Sequence, residues 1–129
     1  MLVLFGSPRE CGFTKELFDL FIQEWNNIYP DTNIHMFHVY QENMAPCTAC
    51  GFCRYKDGCS IPDYRLFDTL YRNADVVVVA TPVYGLSFPA PLKAVFDRTQ
   101  QYYEAYVSRH IKHPFEKPKK AFLLSVYGS

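Results

Sequence analysis

Val76-Val77-Val78-Val79-Ala80, entered from Ala74-Asp75 and left through Thr81-Pro82-Val83-Tyr84-Gly85, is the most strand-like stretch of the chain. Its apolar residues run on without alternating, as they do in a strand buried on both faces of a parallel sheet. Leu2-Val3-Leu4-Phe5 has the same character, and Ala121-Phe122-Leu123-Leu124-Ser125-Val126 repeats it near the other end. From Lys15 the period changes. Leu17, Phe21, Trp25 and Ile28 recur as one stripe of an amphipathic helix, which Pro30-Asp31 ends. Ile34 to Tyr40 alternates and predicts a further strand, and Gln41 to Asp63 reads as a long loop. Tyr64 to Arg72, with Leu66, Phe67 and Leu70, predicts a short helix, and Pro89 to Tyr106 holds another carrying Leu92, Val95 and Phe96. The order is β-α-β-loop-α-β-α-β, which demands an α/β fold: a doubly wound parallel sheet with right-handed crossovers and helices on both faces. Such a fold ordinarily continues into a fifth strand and a last helix, so the expectation is of a sheet lacking both.

Composition narrows the function. The 129 residues suit one domain spanning 1–129, with a cysteine-rich insertion at 41–63. Apolar residues make up 49% of the chain, and 13 Lys+Arg balance 13 Asp+Glu, which excludes intrinsic disorder. Zero net charge argues against a nucleic-acid partner, which calls for a basic excess. The longest apolar run, Ala74 to Pro82 broken by Asp75, is too short to cross a membrane. Met1 to Gly6 lacks the charged start of a signal peptide. A soluble, cytoplasmic protein is expected.

In doubly wound sheets ligands bind outside the carboxyl ends of the strands, where strand order reverses. The loops after Phe5, Ala80 and Val126 therefore matter most. Gly6 to Thr14 brings small and hydroxyl residues and Arg9 to a helix start, where backbone N–H groups and the dipole favour an anion. Ser7, Thr14 and Arg9 would add donors to a phosphate; the plainer alternative is an ordinary helix with Thr14 as its N-cap. The loop has neither G-x-G-x-x-G nor a GKS or GKT sequence, so it is no dinucleotide fingerprint and no Walker-A loop. Thr81 to Pro89 suits an aromatic heterocycle, with peptide groups at its edge and Tyr84 as a wall.

Cys47-Thr48-Ala49-Cys50-Gly51-Phe52-Cys53-Arg54-Tyr55-Lys56-Asp57-Gly58-Cys59 has the spacing C-x2-C-x2-C-x5-C. Two-residue gaps let thiolates converge, and Gly51 and Gly58 permit the turns this needs. Four cysteines suit a [4Fe–4S] cluster or a structural zinc, the triplet favouring iron–sulfur, while a metal-free loop is the third option. Cys11 reads as a small packed residue, and His35, His38, His110 and His113 as surface residues. Tyr102, Tyr103 and Tyr106 are candidates for a subunit contact, a cap over a bound ring or plain packing.

Gly6-Ser7-Pro8-Arg9 ahead of Gly12-Phe13-Thr14, with Thr81-Pro82-Val83-Tyr84 and Pro91-Leu92-Lys93-Ala94-Val95-Phe96-Asp97-Arg98, resembles the NADPH-dependent FMN reductase family of flavodoxin-like proteins. The resemblance implies that Ser7, Arg9, Gly12, Phe13 and Thr14 hold the FMN phosphate. Thr81, Pro82, Val83, Tyr84 and Gly85 would border the isoalloxazine, and Tyr127-Gly128 would close its other side. Phe13 stands where the family usually has Asn or Ser, which removes a side-chain donor. Glu10 sets a negative charge near the phosphate loop. The implied activity is that of an FMN-dependent oxidoreductase, with NAD(P)H as co-substrate and a quinone, dye or protein as electron acceptor. The cysteine motif is also similar to that of the iron–sulfur flavoproteins, in which Cys47, Cys50, Cys53 and Cys59 would hold a [4Fe–4S] cluster and the protein would act as an electron carrier. A module with this fold but no flavin is the third reading. The family commonly forms oligomers, so a homo-oligomer is expected.

Overall fold

A computed structural model describes residues 1–128. The sheet is built from β1 (Leu2–Phe5), β2 (His35–His38), β3 (Val76–Pro82) and β4 (Lys120–Val126), all parallel, in the order β2-β1-β3-β4. Around it lie α1 (Phe13–Ile28), α2 (Val39–Glu42), α3 (Arg65–Asn73), α4 (Ala90–Arg98) and α5 (Gln100–Val107). The expected doubly wound parallel sheet is therefore the fold, with four strands among the described residues.

Alternation of side chains along the strands makes two cores. Leu2, Leu4, Val77 and Val79 face α3 and α4, where they meet Phe37, Tyr64, Phe67, Leu92 and Val95. Val3, Phe5, Val78 and Ala80 face α1 and pack on Phe18. Both faces of β1 and β3 are thus covered, which is why their sequences are apolar throughout. Burying Phe18 alone contributes about 1.5–3 kcal/mol.

Four local expectations are corrected. The stripe Leu17/Phe21/Trp25/Ile28 is not the core seam of α1. Phe18 and Thr14 are the buried positions, Phe21 and Trp25 flank them against the Phe122 ring, and Ile28 is exposed. The helix starts at Phe13, with Gly12 rather than Thr14 at its N-cap. β2 stops at His38 instead of Tyr40, because Val39 to Glu42 coils into α2, ended by Asn43 in a left-handed conformation. The helix expected between Pro89 and Tyr106 is two, α4 and α5. The Thr99 hydroxyl donates to the Phe96 carbonyl at 2.7 Å and takes an acceptor from the last turn of α4.

Among the described residues, no helix is long and apolar enough to cross a membrane.

Candidate functional site

The strand order reverses between β1 and β3, and a cavity of about 560 Å³ opens at their carboxyl ends. Three loops meet there. The Gly6 N–H donates to the Ala80 carbonyl at 2.8 Å, so the first loop leaves β1 still fastened to β3. Ser7, buried, turns this loop: its hydroxyl accepts from the Arg9 N–H at 3.1 Å. Gly12 then takes φ +140°, a conformation that disfavours a side chain, and delivers the chain into α1. No side chain caps α1, so the donors of its first turn are left for a ligand or water.

The second loop leaves β3 at Pro82. Val83 donates its N–H to Val126 at 2.9 Å, which sets Tyr127 and Gly128 beside it. Tyr84 and Ser87 exchange backbone hydrogen bonds at 2.9 and 3.0 Å around a tight turn. Its two central residues, Gly85 and Leu86, have φ of +56° and +63°. A leucine there is strained, since left-handed geometry crowds Cβ. Leu86 is 99% exposed.

Of the residues expected to hold a cofactor, Ser7, Arg9, Gly12, Phe13 and Thr14 line this cavity. So do Pro82, Val83, Tyr84, Tyr127 and Gly128, together with Glu16 and Val126, which sequence reasoning left out. Thr81 and Gly85 do not line it. Thr81 is fully buried below the cavity, where its hydroxyl donates to the Pro82 carbonyl at 2.9 Å, and Gly85 sits in the turn. Arg9 is exposed and makes no ion pair among the described residues. The arrangement offers hydroxyls, helix N–H groups and one unpaired guanidinium at one end, and Tyr84 and Tyr127 at the other. That donor set matches a phosphate joined to a flat aromatic group. His38, expected at the surface, is half-buried with both ring nitrogens enclosed, its ring tilted at 52° to that of Phe5 with centroids 5.1 Å apart.

The second candidate lies on the other side of the sheet. Cys47, Cys50, Cys53 and Cys59 all line one cavity of about 130 Å³, backed by Arg98, Gln101 and Glu104. All four thiols are free. Cys50 lies 3.2 Å from the Ser60 hydroxyl, and that hydrogen bond draws its pKa below the ordinary thiol value. Burial pushes Cys53 up, and the nearby Glu104 carboxylate adds to the effect. Among the described residues no three His, Cys, Asp or Glu side chains converge as a single metal ion requires. Four thiols line one cavity, the ligand type and number that either a four-iron cluster or a zinc ion takes.

Sequence reasoning missed the residues behind this cavity. Arg98 ends the motif Lys93-Ala94-Val95-Phe96-Asp97-Arg98, yet nothing in its spacing announces that its side chain is completely buried. Tyr102 is a packing residue: its hydroxyl donates to the Asp68 carboxylate, which also accepts from Gln101 at 2.7 Å and Arg72 at 3.0 Å. Tyr103 and Tyr106 are exposed.

A family model described as a flavodoxin-like fold matches residues 1–129. An iron–sulfur flavoprotein of Methanosarcina thermophila is 48% identical over 64 residues, which cover 47% of this chain and 32% of that protein. An FMN-dependent NADH:quinone oxidoreductase of Coprothermobacter proteolyticus is 32% identical over 103 residues, covering 75% of this chain and 51% of that protein. The chain thus spans between a third and about half the length of these relatives. In structure, an azoreductase from Bacillus anthracis matches with a TM-score of 0.70 at 20% identity, over 99% of this chain and 68% of that one. An NAD(P)H:quinone oxidoreductase from Methanothermobacter marburgensis gives 0.68 at 19% identity, over 98% and 63%. At these identities the structural likeness speaks for the fold alone.

Proposed function

The chain belongs to the flavodoxin-like fold family, and on that premise we propose that it is the FMN-binding part of an NAD(P)H-dependent oxidoreductase that reduces quinone-type acceptors. The observation that carries this reading is the meeting of an uncapped α1 N-terminus, Ser7, Thr14 and unpaired Arg9 with Tyr84 and Tyr127 in one cavity at the switch point. FMN, when bound, supplies acceptance of hydride and its onward delivery as electrons. The chain's residues bind and orient. Ser7, Arg9, Gly12, Phe13 and Thr14 hold the phosphate: Arg9 by charge, the hydroxyls and N–H groups by hydrogen bonds. Pro82, Val83, Tyr84, Tyr127 and Gly128 border the ring, while Thr81 and Gly85 support it from below and from the turn. Two relatives, an FMN-dependent NADH:quinone oxidoreductase and an iron–sulfur flavoprotein, support a flavin here.

The test is direct. Purified protein is titrated with FMN, followed by flavin absorption and fluorescence, then given NADH or NADPH and a quinone without oxygen. Saturable uptake of one FMN per chain and nucleotide-driven bleaching support the reading. Failure to bind FMN overturns it.

A second reading concerns the cysteines, favoured by the placement of all four on one cavity with a buried cation behind them. Cys47, Cys50, Cys53 and Cys59 would hold a [4Fe–4S] cluster that exchanges electrons with the flavin. Iron and acid-labile sulfide in anaerobically purified protein test this, with Cys50→Ser as the variant that should lose both. NAD(P)H-driven flavin reduction is expected to persist in that variant, because it calls only on the flavin cavity. A homo-oligomer completes the proposal. Phe13, Leu86 and Tyr127 are large, apolar or aromatic and exposed near the cavity rim, the kind of surface a partner copy covers. A monomeric mass by sedimentation of the FMN-loaded protein would count against it.

A further inference from the structure

The guanidinium of Arg98 is wholly buried, at the end of α4, under a loop that is mostly exposed. One amino nitrogen donates to the Ala45 carbonyl at 2.7 Å. The other donates to the Ile61 carbonyl at 3.0 Å and to the Asp63 carboxylate at 2.8 Å. Asp63 in turn accepts the Ala45 N–H at 2.8 Å on its second oxygen. Two stretches of chain sixteen or more residues apart, one just before Cys47 and one just after Cys59, are therefore tied to each other and to α4 through a single side chain. The guanidinium also lies over the Tyr64 ring, 5.2 Å from its centroid.

Burying a guanidinium is costly unless its charge and its donors are met. Here they are met unevenly. Among the described residues Asp63 is the sole carboxylate paired with it, and that carboxylate is 28% exposed. The Nε–H has no partner among the described residues. Arg98 lines the cavity that the four cysteines line. A cation with a spare donor behind four thiols is of little use to a neutral pocket. It is useful where thiolates and a centre of net negative charge are gathered.

We propose that Arg98 is the positioning residue of the cysteine loop: its fork closes the loop base on Ala45, Ile61 and Asp63, so that all four thiols face one cavity before any metal arrives, and its charge stabilises the thiolate-bound centre. The charge part rests on the iron–sulfur reading above; the closing of the loop base does not. Two consequences separate the roles. The fork orders residues 45–63 in metal-free protein. The charge, lying beside the centre, favours its more negative, reduced form and raises its reduction potential.

The experiment compares wild type with Arg98→Lys, which keeps a charge and loses the fork, and Arg98→Met, which loses both. Amide hydrogen exchange is first measured on reduced, metal-free protein. In both variants exchange across 45–63 is expected to quicken at least tenfold, while β1, β3 and α1 stay protected. The same protein is then reconstituted anaerobically with ferrous iron and sulfide. If wild type fills, Arg98→Met is expected to hold less iron and sulfide, or a cluster whose reduced-to-oxidised ratio at fixed potential falls about tenfold, which is about 59 mV for one electron. Arg98→Lys is expected to keep the wild-type potential. Unchanged exchange across 45–63 in Arg98→Met overturns the positioning role, and an unchanged potential and iron content overturn the charge role. If wild type takes up no iron, the iron–sulfur reading and the charge role fall together, and the exchange data still judge the clasp. Should Arg98→Met not fold, Asp63→Asn, at a partly exposed position, is expected to quicken the same exchange to a smaller degree; no change there overturns the clasp.

Discussion

Gly6 and Thr81 stand so close that a Cβ on the glycine would lie 2.9 Å from the Thr81 hydroxyl oxygen, and equally close to a methyl of Leu92. The floor of the cavity at the switch point is thus a contact between the end of β1 and the end of β3 with no spare volume. Thr81 is fully buried and its hydroxyl already bonded, so it has little freedom to retreat. Gly6→Ala is expected to cost about 1–3 kcal/mol of stability, the range for overpacking a filled site. Because the contact lies under the phosphate loop, FMN affinity should fall as well. Thermal melting with and without FMN checks both; an unshifted midpoint would show that the floor yields.

Arg9 is the opposite case, exposed and without an ion pair among the described residues. Arg9→Ala should leave the fold as stable as before. FMN affinity is expected to drop about ten- to a hundredfold, the loss of one charge-assisted contact worth about 1.5–3 kcal/mol. Fluorescence titration reads it, and an unchanged dissociation constant would remove Arg9 from the phosphate site.

Leu86 holds a left-handed conformation with its side chain in solvent. Asn tolerates that backbone far better than Leu. Leu86→Asn is therefore expected to raise stability by about 0.5–1 kcal/mol, somewhat less than the full cost of left-handed geometry. A chemical denaturation midpoint no higher than wild type would mean the turn is not under strain.

Asp63 gives the loop an acid limit. Burial works against its carboxylate, but the Ala45 N–H and the Arg98 guanidinium hold its pKa below the ordinary 3.8. A carboxyl with a lowered native pKa stabilises fully above its unfolded value and loses that contribution as pH falls through the native one. Protection factors across 45–63, referred to the intrinsic exchange rate at each pH, should therefore fall as pH drops below about 3.9, the unfolded value. Asp63→Asn, which has no proton to take up there, should lose this share of the acid response. Parallel profiles for the two proteins would exclude Asp63 as its source.

Much of this fold is legible in the sequence because burial on both faces leaves a simple trace. β1 and β3 are apolar without interruption, and only a covered parallel strand rewards that pattern. The trace weakens wherever one face decides. In α1 the stripe through Leu17 and Ile28 looked as good as the seam through Thr14 and Phe18, and only the position of Phe5 and Val78 selects between them. The division of α4 from α5 left no Gly or Pro behind, since a hydroxyl at Thr99 takes the carbonyl instead. That the loops after β1 and β3 line a cavity at the switch point could be found from their small and hydroxyl residues. That Thr81 lies beneath the cavity rather than on its wall could not, because it depends on which way one strand end points. Arg98 was invisible for a different reason: patterns of hydrophobicity assign charged residues to the surface.

The bond from the Ala45 N–H to Asp63, eighteen residues on, has a bearing on how such a protein diversifies. Once the stems of an excursion are pinned, its length matters little to the rest of the chain. Each doubling of a flexible loop adds only about 0.6 kcal/mol to the entropy of closing it. The stretch from Pro46 to Pro62 could be shortened, lengthened or exchanged for one of different chemistry, with β1, β3 and the cavity at the switch point keeping their geometry. The cysteine loop is in this sense a cassette, and the sheet is its socket.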